Sequence, residues 1–221
     1  MHPVPSPAVQ PRVVLLAGPS GSGKSTLAAH LGWPVLRLDD FYREGDDPAL
    51  PRDANGRPDW DAEESWHTAD ALAAVIELAT TGRVEAPVYV LGEDRRVGCR
   101  VVEADGPFIA EGLFADRLVA GCREAGVLAD AIVLTPNAFV TFVRRFARDV
   151  AEARKPVPLL LRRGLRLLWE QPGVVRRCAA AGMRRLAPHR AAEELGRPPA
   201  PVSMVSRGSD IPAENASEPA H

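Results

Sequence analysis

Val13-Val14-Leu15-Leu16-Ala17-Gly18-Pro19-Ser20-Gly21-Ser22-Gly23-Lys24-Ser25-Thr26 is the stretch whose reading decides the fold of this chain. Five apolar residues make a buried strand, a glycine-rich turn follows, and a helical pattern opens at Lys24. The turn matches G-x-x-x-x-G-K-[ST], the pattern of a phosphate-binding loop. Glycines let backbone N–H groups curl around an anion, because no Cβ blocks the approach. The helix beyond Gly23 aims its unpaired N–H groups and positive dipole end at the same anion. The expected triphosphate-binding residues are therefore Gly18, Ser20, Gly21, Ser22, Gly23, Lys24, Ser25 and Thr26. Within that set, Lys24 reaches the β and γ phosphates and the Ser25 hydroxyl holds Mg²⁺.

The 221 residues allow one α/β domain with an elaboration, or two small ones. A net charge of −2 gives no reason to expect nucleic acid or an anionic membrane as the main partner. Lysine occurs only at 24 and 155, while arginine supplies every other basic residue. A lysine at the one place where a compact ammonium is wanted is therefore informative. Cys99, Cys122 and Cys178 are odd in number and show no ligand spacing, which fits a reduced, cytoplasmic chain. The start lacks the basic and apolar regions of a signal peptide, and no apolar run approaches the ~20 residues of a membrane span.

Outward from the loop, residues 1–11 and 206–221 read as disordered tails around a domain at 12–205. Strand-like runs fall at 13–17, 35–38, 107–110, 131–135 and 202–205. Helical patterns fall at 24–31, 65–81, 112–125, 137–153, 159–169 and 174–186. The alternation predicts a P-loop NTPase fold, a three-layer α/β/α sandwich with a mostly parallel sheet. A helical lid region is expected at about 144–188. Residues 43–60 read as a functional loop, and 84–102 as a hairpin outside the main sheet.

Ligands of parallel α/β sheets sit at the carboxyl ends of the strands. Right-handed crossovers bring Asp39-Asp40, after the run Val35–Leu38, to the same edge as the phosphate loop. Glu111, after Phe108–Ala110, arrives there too. Asp39 is the candidate catalytic base and Mg²⁺ neighbour, and Glu111 the candidate acid on Mg²⁺ or its waters. The competing interpretation makes these carboxylates helix or turn caps. Asp40 points the other way if the segment is extended.

The segments Gly18–Thr26, Leu38-Asp39-Asp40-Phe41-Tyr42-Arg43, Pro58-Asp59-Trp60-Asp61, Ala86-Pro87-Val88-Tyr89 and Phe108-Ile109-Ala110-Glu111-Gly112 carry a resemblance. In order and spacing they resemble uridine kinases of the phosphoribulokinase/uridine kinase group, over roughly residues 12–155. The resemblance implies ATP-dependent, Mg²⁺-assisted phosphorylation of the 5′-hydroxyl of uridine or cytidine, with Asp39 as catalytic base. It also implies a nucleoside pocket near Tyr42, Trp60 and Tyr89, with Asp61 holding ribose hydroxyls. Arg145 and Arg148 stand in a segment that resembles the family's R-x-x-R-D, where arginines approach substrate and phosphates from a lid. The alternatives are that the aromatics are packing anchors and the arginines a solvated face.

The sequence also departs from the family. The histidine expected after Tyr89 is missing, and Asp94 stands about where it would fall. Beyond Arg154-Lys155-Pro156 the pattern is lost, and 159–169 becomes an arginine-bearing amphipathic stretch. That stretch reads as a packed helix, with a lid helix, a dimer face of a homo-oligomer, or a membrane-surface helix as the other options. Two further functions stay open: a P-loop kinase for another hydroxyl acceptor, such as a sugar or vitamin precursor, and a nucleotide-binding protein or ATPase without kinase activity. No N-K-x-D or L-S-G-G-Q sequence supports a GTPase or transporter ATPase.

Overall fold

Alternate residues of a strand face opposite sides of a sheet, so a strand that is apolar throughout needs cover on both. β1 (Val13–Ala17) is buried at all five positions. Val13, Leu15 and Ala17 join one apolar cluster, and Val14 and Leu16 join another. The computed structural model describes residues 12–19, 21–135 and 172–196. In chain order β1 is followed by α1 (Lys24–Leu31), β2 (Val35–Arg37), α2 (Thr68–Thr81), β3 (Arg83–Val90), β4 (Arg95–Glu103) and β5 (Phe108–Glu111). Then come α3 (Val119–Glu124), β6 (Leu128–Leu134), α4 (172–180), β7 (Arg184–Leu186) and α5 (Pro188–Leu195).

The main sheet has the order β2-β5-β1-β6-β7, and every pairing is parallel. Helices α2, α3 and α4 contribute to the first apolar cluster; α1 and α5 contribute to the second. This is the expected three-layer α/β/α P-loop fold. The chain leaves β1 toward β2 on one side and β6 lies on the other, so the crevice between them opens at the carboxyl end of β1. β3 and β4 form an antiparallel two-stranded sheet outside the main one, as the sequence suggested. Arg12 ties the two parts together: its guanidinium donates to the carbonyls of Ala79, Ala104 and Gly106.

Three expected elements need correction. The helix expected at 65–81 begins at Thr68, after a 3-10 turn at Glu63–Ser65. The one expected at 112–125 is a 3-10 turn, Ala115–Leu118, running into the short α3. The one expected at 174–186 ends by 180. Gly182 takes φ 88°, and the Met183 N–H bonds the Cys178 carbonyl, a Schellman stop that only a left-handed residue permits cheaply. The chain then turns into β7, with Arg184 and Arg185 in strand beside β6. The tails at 1–11 and 206–221 lie outside the described residues. So do Ser20, the helices expected at 137–153 and 159–169, most of the lid region, and the strand expected at 202–205. Among the described residues, no helix is long and apolar enough to cross a membrane.

Burial separates the three cysteines. Cys122 and Cys178 are buried, and burial pushes both thiols up to about 12. Cys99 is exposed on β4. A thiol that stays protonated is unreactive. Dilute native protein at pH 8 should therefore titrate as one fast thiol per chain with a chromogenic disulfide reagent. Cys122 and Cys178 should react only after guanidinium unfolding.

Candidate active site

The loop between β1 and α1 has the backbone its glycines predict. Gly18, Gly21 and Gly23 have φ of 147°, 77° and 97°, all positive. A Cβ at Gly18 would stand 2.8 Å from Ser22 Oγ and 3.2 Å from the Leu134 carbonyl oxygen, so the turn closes only with glycine there. Lys24 Nζ donates to the carbonyl oxygen of Gly18 at 2.8 Å, lying along the loop. Ser22 is buried, and its Oγ has no hydrogen-bond partner among the described residues.

Sheet register carries Glu111 to this loop. Glu111 stands level with Leu16 of β1 on one side and Arg37 of β2 on the other. Its Oε1 accepts a hydrogen bond from Ser25 Oγ at 3.1 Å, 86 residues away in sequence. Its Oε2 is buried and has no partner among the described residues. A hydroxyl, a carboxylate with one uncommitted oxygen and a second carboxylate nearby form a hard-oxygen donor set. Mg²⁺ takes such sets together with substrate phosphates, so these residues fit the ion.

The second carboxylate is Asp39. β2 ends at Arg37, and Leu38–Phe41 form a 3-10 turn rather than continuing extended. The turn still sends its two aspartates apart. Asp39 Oδ1 accepts the Leu113 N–H at 3.2 Å, across the end of β5. Asp40 faces the hairpin: it is 1% exposed, its Oδ1 accepts the Tyr89 N–H at 3.3 Å, and its Oδ2 lies 3.2 Å from Arg100. Burial raises the Asp40 pKa, while Arg37, the Tyr89 N–H and Arg100 oppose the rise.

Gly112 makes the approach of these strand ends possible. A Cβ there would sit 2.7 Å from Leu38 Cβ and 3.0 Å from Asp39 Oδ1. Gly112→Ala must therefore push the Asp39 turn away from β5. Its expected cost is about 1–3 kcal/mol of stability by urea denaturation, as for overpacking elsewhere.

Tyr42, Trp60 and Tyr89, far apart in sequence, come together. Ring centroids are 5.8 Å apart for Tyr42–Trp60, 6.1 Å for Tyr42–Tyr89 and 6.5 Å for Trp60–Tyr89. Both tyrosines are also buried members of the main core, so only Trp60 offers a partly open ring. Their packing role and their place beside the carboxylates thus coexist. Burial raises the Tyr42 pKa most, followed by the charges of Asp39 and Asp61, so its phenol feels both carboxylates. Tyr89 Oη donates to the Arg43 carbonyl at 2.9 Å, and burial, then Asp94 and Glu44, push its pKa up to about 12. Asp94 has φ 49°, and its carbonyl accepts the Gly45 N–H, joining the hairpin tip to the loop after Tyr42. Arg145 and Arg148 lie outside the described residues.

Sequence reasoning missed one group. Arg177 of α4 donates to both carboxylate oxygens of the buried Asp116, at 2.9 and 3.2 Å, and to the Leu113 carbonyl at 2.9 Å. Its guanidinium carbon lies 5.3 Å from the centre of the Phe114 ring, which in turn packs on Tyr42. In an arginine-rich chain, nothing local marks this arginine out. The one available sign was Asp116, an acidic residue that follows the apolar run Leu113-Phe114-Ala115.

Against known proteins, the chain is 28% identical over 149 residues to the uridine kinase of Schizosaccharomyces pombe. That match takes in 63% of this chain but 32% of the relative, so the chain spans about a third of the length of the relative. Over those residues the chain resembles a uridine kinase. No family model matches it. Solved structures with overall likeness include a protein of Silicibacter sp. TM1040 provisionally named a fructose transport system kinase. It is 21% identical, with a TM-score of 0.48 and 88% of each chain covered. A possible uridine kinase from Bacillus stearothermophilus is 20% identical with a TM-score of 0.42, the match covering 67% of this chain and 83% of the other. The Deinococcus radiodurans tunicamycin resistance protein is 16% identical with a TM-score of 0.42, covering 84% and 94%.

Proposed function

We propose that this chain is a P-loop kinase that transfers the γ-phosphoryl group of ATP to a hydroxyl of a nucleoside of the uridine or cytidine type. The observation that carries the proposal is the meeting of strand ends. Glu111 is hydrogen-bonded to Ser25, and Asp39 is held by the Leu113 N–H at the neighbouring strand end. Phosphoryl transfer needs positioning and charge neutralisation more than covalent help. Here the loop of Gly18–Thr26 holds the phosphates, Lys24 reaches the β and γ groups, and Ser25 with Glu111 and Asp39 holds Mg²⁺. The bound ion neutralises charge on the phosphates. Asp39 accepts the proton of the acceptor hydroxyl, as a general base at a neutral pH.

The acceptor lies on the Tyr42 side. Tyr42 feels both Asp39 and Asp61, which supports Asp61 as the group that accepts hydrogen bonds from sugar hydroxyls while Asp39 takes the reacting one. Trp60 supplies the partly open ring for a base, with Tyr42 and Tyr89 behind it. Arg145 and Arg148 are proposed to approach from the lid segment. A soluble, cytoplasmic enzyme is the setting that such substrates suggest.

A second acceptor class is favoured by one feature. After Tyr89, where the resemblance calls for a histidine, the hairpin tip presents Leu91, 64% exposed, and Asp94 in a left-handed turn. These residues suit a reader of something other than a pyrimidine edge. An ADP-release assay with Mg-ATP and a panel of nucleosides, sugars and vitamin precursors separates the classes. Turnover with uridine or cytidine at least tenfold above the other acceptors is expected. Turnover with none of them sinks the kinase reading, and preference for a sugar or vitamin precursor replaces the nucleoside.

A further inference from the structure

We propose that Arg96 reads the acceptor base and selects cytidine over uridine, an inference that rests on the nucleoside reading of the acceptor. The guanidinium edge formed by Nε and Nη2 carries two parallel N–H donors. In Arg96 both nitrogens are buried, and neither has a hydrogen-bond partner among the described residues. Buried donors are nearly always satisfied, so a fork held out of water with no partner points to a ligand. Arg100, four residues on, gives the contrast. Its Nε and Nη2 also lack hydrogen bonds, but the carboxylate of Asp40 lies 3.2 Å from Nη2 as a counter-ion. The Arg96 side chain has no such counter-ion among the described residues.

A break in the hairpin register fixes where Arg96 stands. Val88 pairs with Gly98 and Tyr89 with Arg96, so Val97 is an extra residue and the bulge sets Arg96 opposite Tyr89. Tyr89 packs against Tyr42 and Trp60, the rings beside the proposed acceptor carboxylates. Glu44 Oε1 accepts the Arg96 backbone N–H at 3.2 Å, tying this strand to the loop between Tyr42 and Trp60. Charge of both signs surrounds the fork. Burial, then Asp94 and Glu44, raise the Tyr89 pKa, and Arg96 opposes them. A surrounding already balanced in charge suits a neutral polar edge better than a carboxylate or phosphate. Cytosine offers that edge: O2 and N3 are adjacent acceptors, spaced for the two donors of the fork. Uracil carries an N–H at N3, between its two carbonyls. The fork therefore makes two hydrogen bonds to cytosine, whereas against uracil one N–H meets another.

Calorimetric titration of the full chain with cytidine and with uridine, Mg-ADP being present, reads binding rather than turnover. Cytidine is expected to bind at least about tenfold more tightly. Arg96→Gln presents one donor and one acceptor, the complement of the O4 and N3–H of uracil, and should move the ratio about tenfold or more toward uridine. Arg96→Lys keeps the charge without the fork and should lose most of the preference. 3-Deazacytidine, with C–H in place of N3, should bind the unaltered chain about tenfold more weakly than cytidine, which tests the fork without any substitution. Uridine bound as tightly as cytidine, or neither bound, overturns the proposal. So does a ratio that Arg96→Gln leaves unmoved, a full preference kept by Arg96→Lys, or 3-deazacytidine bound as well as cytidine. Selective binding of cytidine through Arg96 without phosphorylation would uphold the proposal and sink the kinase reading alone. Phosphorylation of both nucleosides with binding indifferent to Arg96 would do the reverse.

Discussion

Asp39→Asn is expected to lower kcat by about 10³-fold, roughly 4 kcal/mol of transition-state stabilisation, while leaving Mg-ATP binding within about threefold. The substitution keeps the group that the fold uses. The Asn carbonyl oxygen accepts the Leu113 N–H as Asp39 Oδ1 does at 3.2 Å, so the turn after β2 keeps its hold on the end of β5. What is lost is the negative charge and the ability to take a proton, the two properties a general base requires. ATP contacts come mainly from the loop and Lys24, and Ser25 and Glu111 remain to hold Mg²⁺, none of which the change touches. Asp40→Asn is the matched control. Asp40 is buried among Arg37, Arg100 and the Tyr89 N–H, so removing its charge should lower stability by about 1–3 kcal/mol and spare most of the turnover. Single-turnover transfer with saturating ATP and acceptor reads the first effect; urea denaturation reads the second. If Asp39→Asn keeps more than a tenth of the rate, or Asp40→Asn loses more rate than Asp39→Asn, the assignment of the base fails.

That contrast between neighbouring aspartates also measures what the sequence could reveal. The strand–loop–helix unit at 13–31 was legible because apolar run, glycines and lysine all specify one local geometry. The convergence of Glu111 on Ser25 was legible because parallel sheets deliver strand ends to one edge. The separation of Asp39 from Asp40 was anticipated for an extended segment, whereas a 3-10 turn produces it. β7 was not legible. Its three residues begin with two exposed arginines, which continue a helical pattern, and only long-range partners fix them: Arg184 bonds Asp130 on β6 and Glu194 on α5. The aromatic cluster was legible as a set of residues, with pocket and packing both open, because burial of Tyr42 and Tyr89 depends on how the hairpin packs.

Arg177→Met is expected to cost about 3 kcal/mol, lowering the melting temperature by roughly 6–12 °C, because it leaves the charge of Asp116 in the interior. Asp116 is 4% exposed and receives two hydrogen bonds from Arg177, with Arg117 at 3.6 Å as its remaining cation. Methionine keeps apolar contact with Phe114, so the loss is electrostatic rather than a cavity. Arg177 also donates to the Leu113 carbonyl, and the N–H of the same residue holds Asp39. Leu113, held at its C=O by α4 and at its N–H by the proposed base, makes Arg177 a positioning residue. The combination Arg177→Met with Asp116→Asn separates the two roles. Neutralising Asp116 should recover about half of the stability, since the buried charge is gone, whereas the Leu113 carbonyl still lacks its donor. The double variant is therefore expected to hold kcat about tenfold below the original, with KM for ATP little changed, at a temperature where it is fully folded. Full return of kcat along with stability would reduce Arg177 to a counter-ion for Asp116. A persistent kcat defect in a restabilised protein would show that α4 sets the position of Asp39 through a single residue, Leu113.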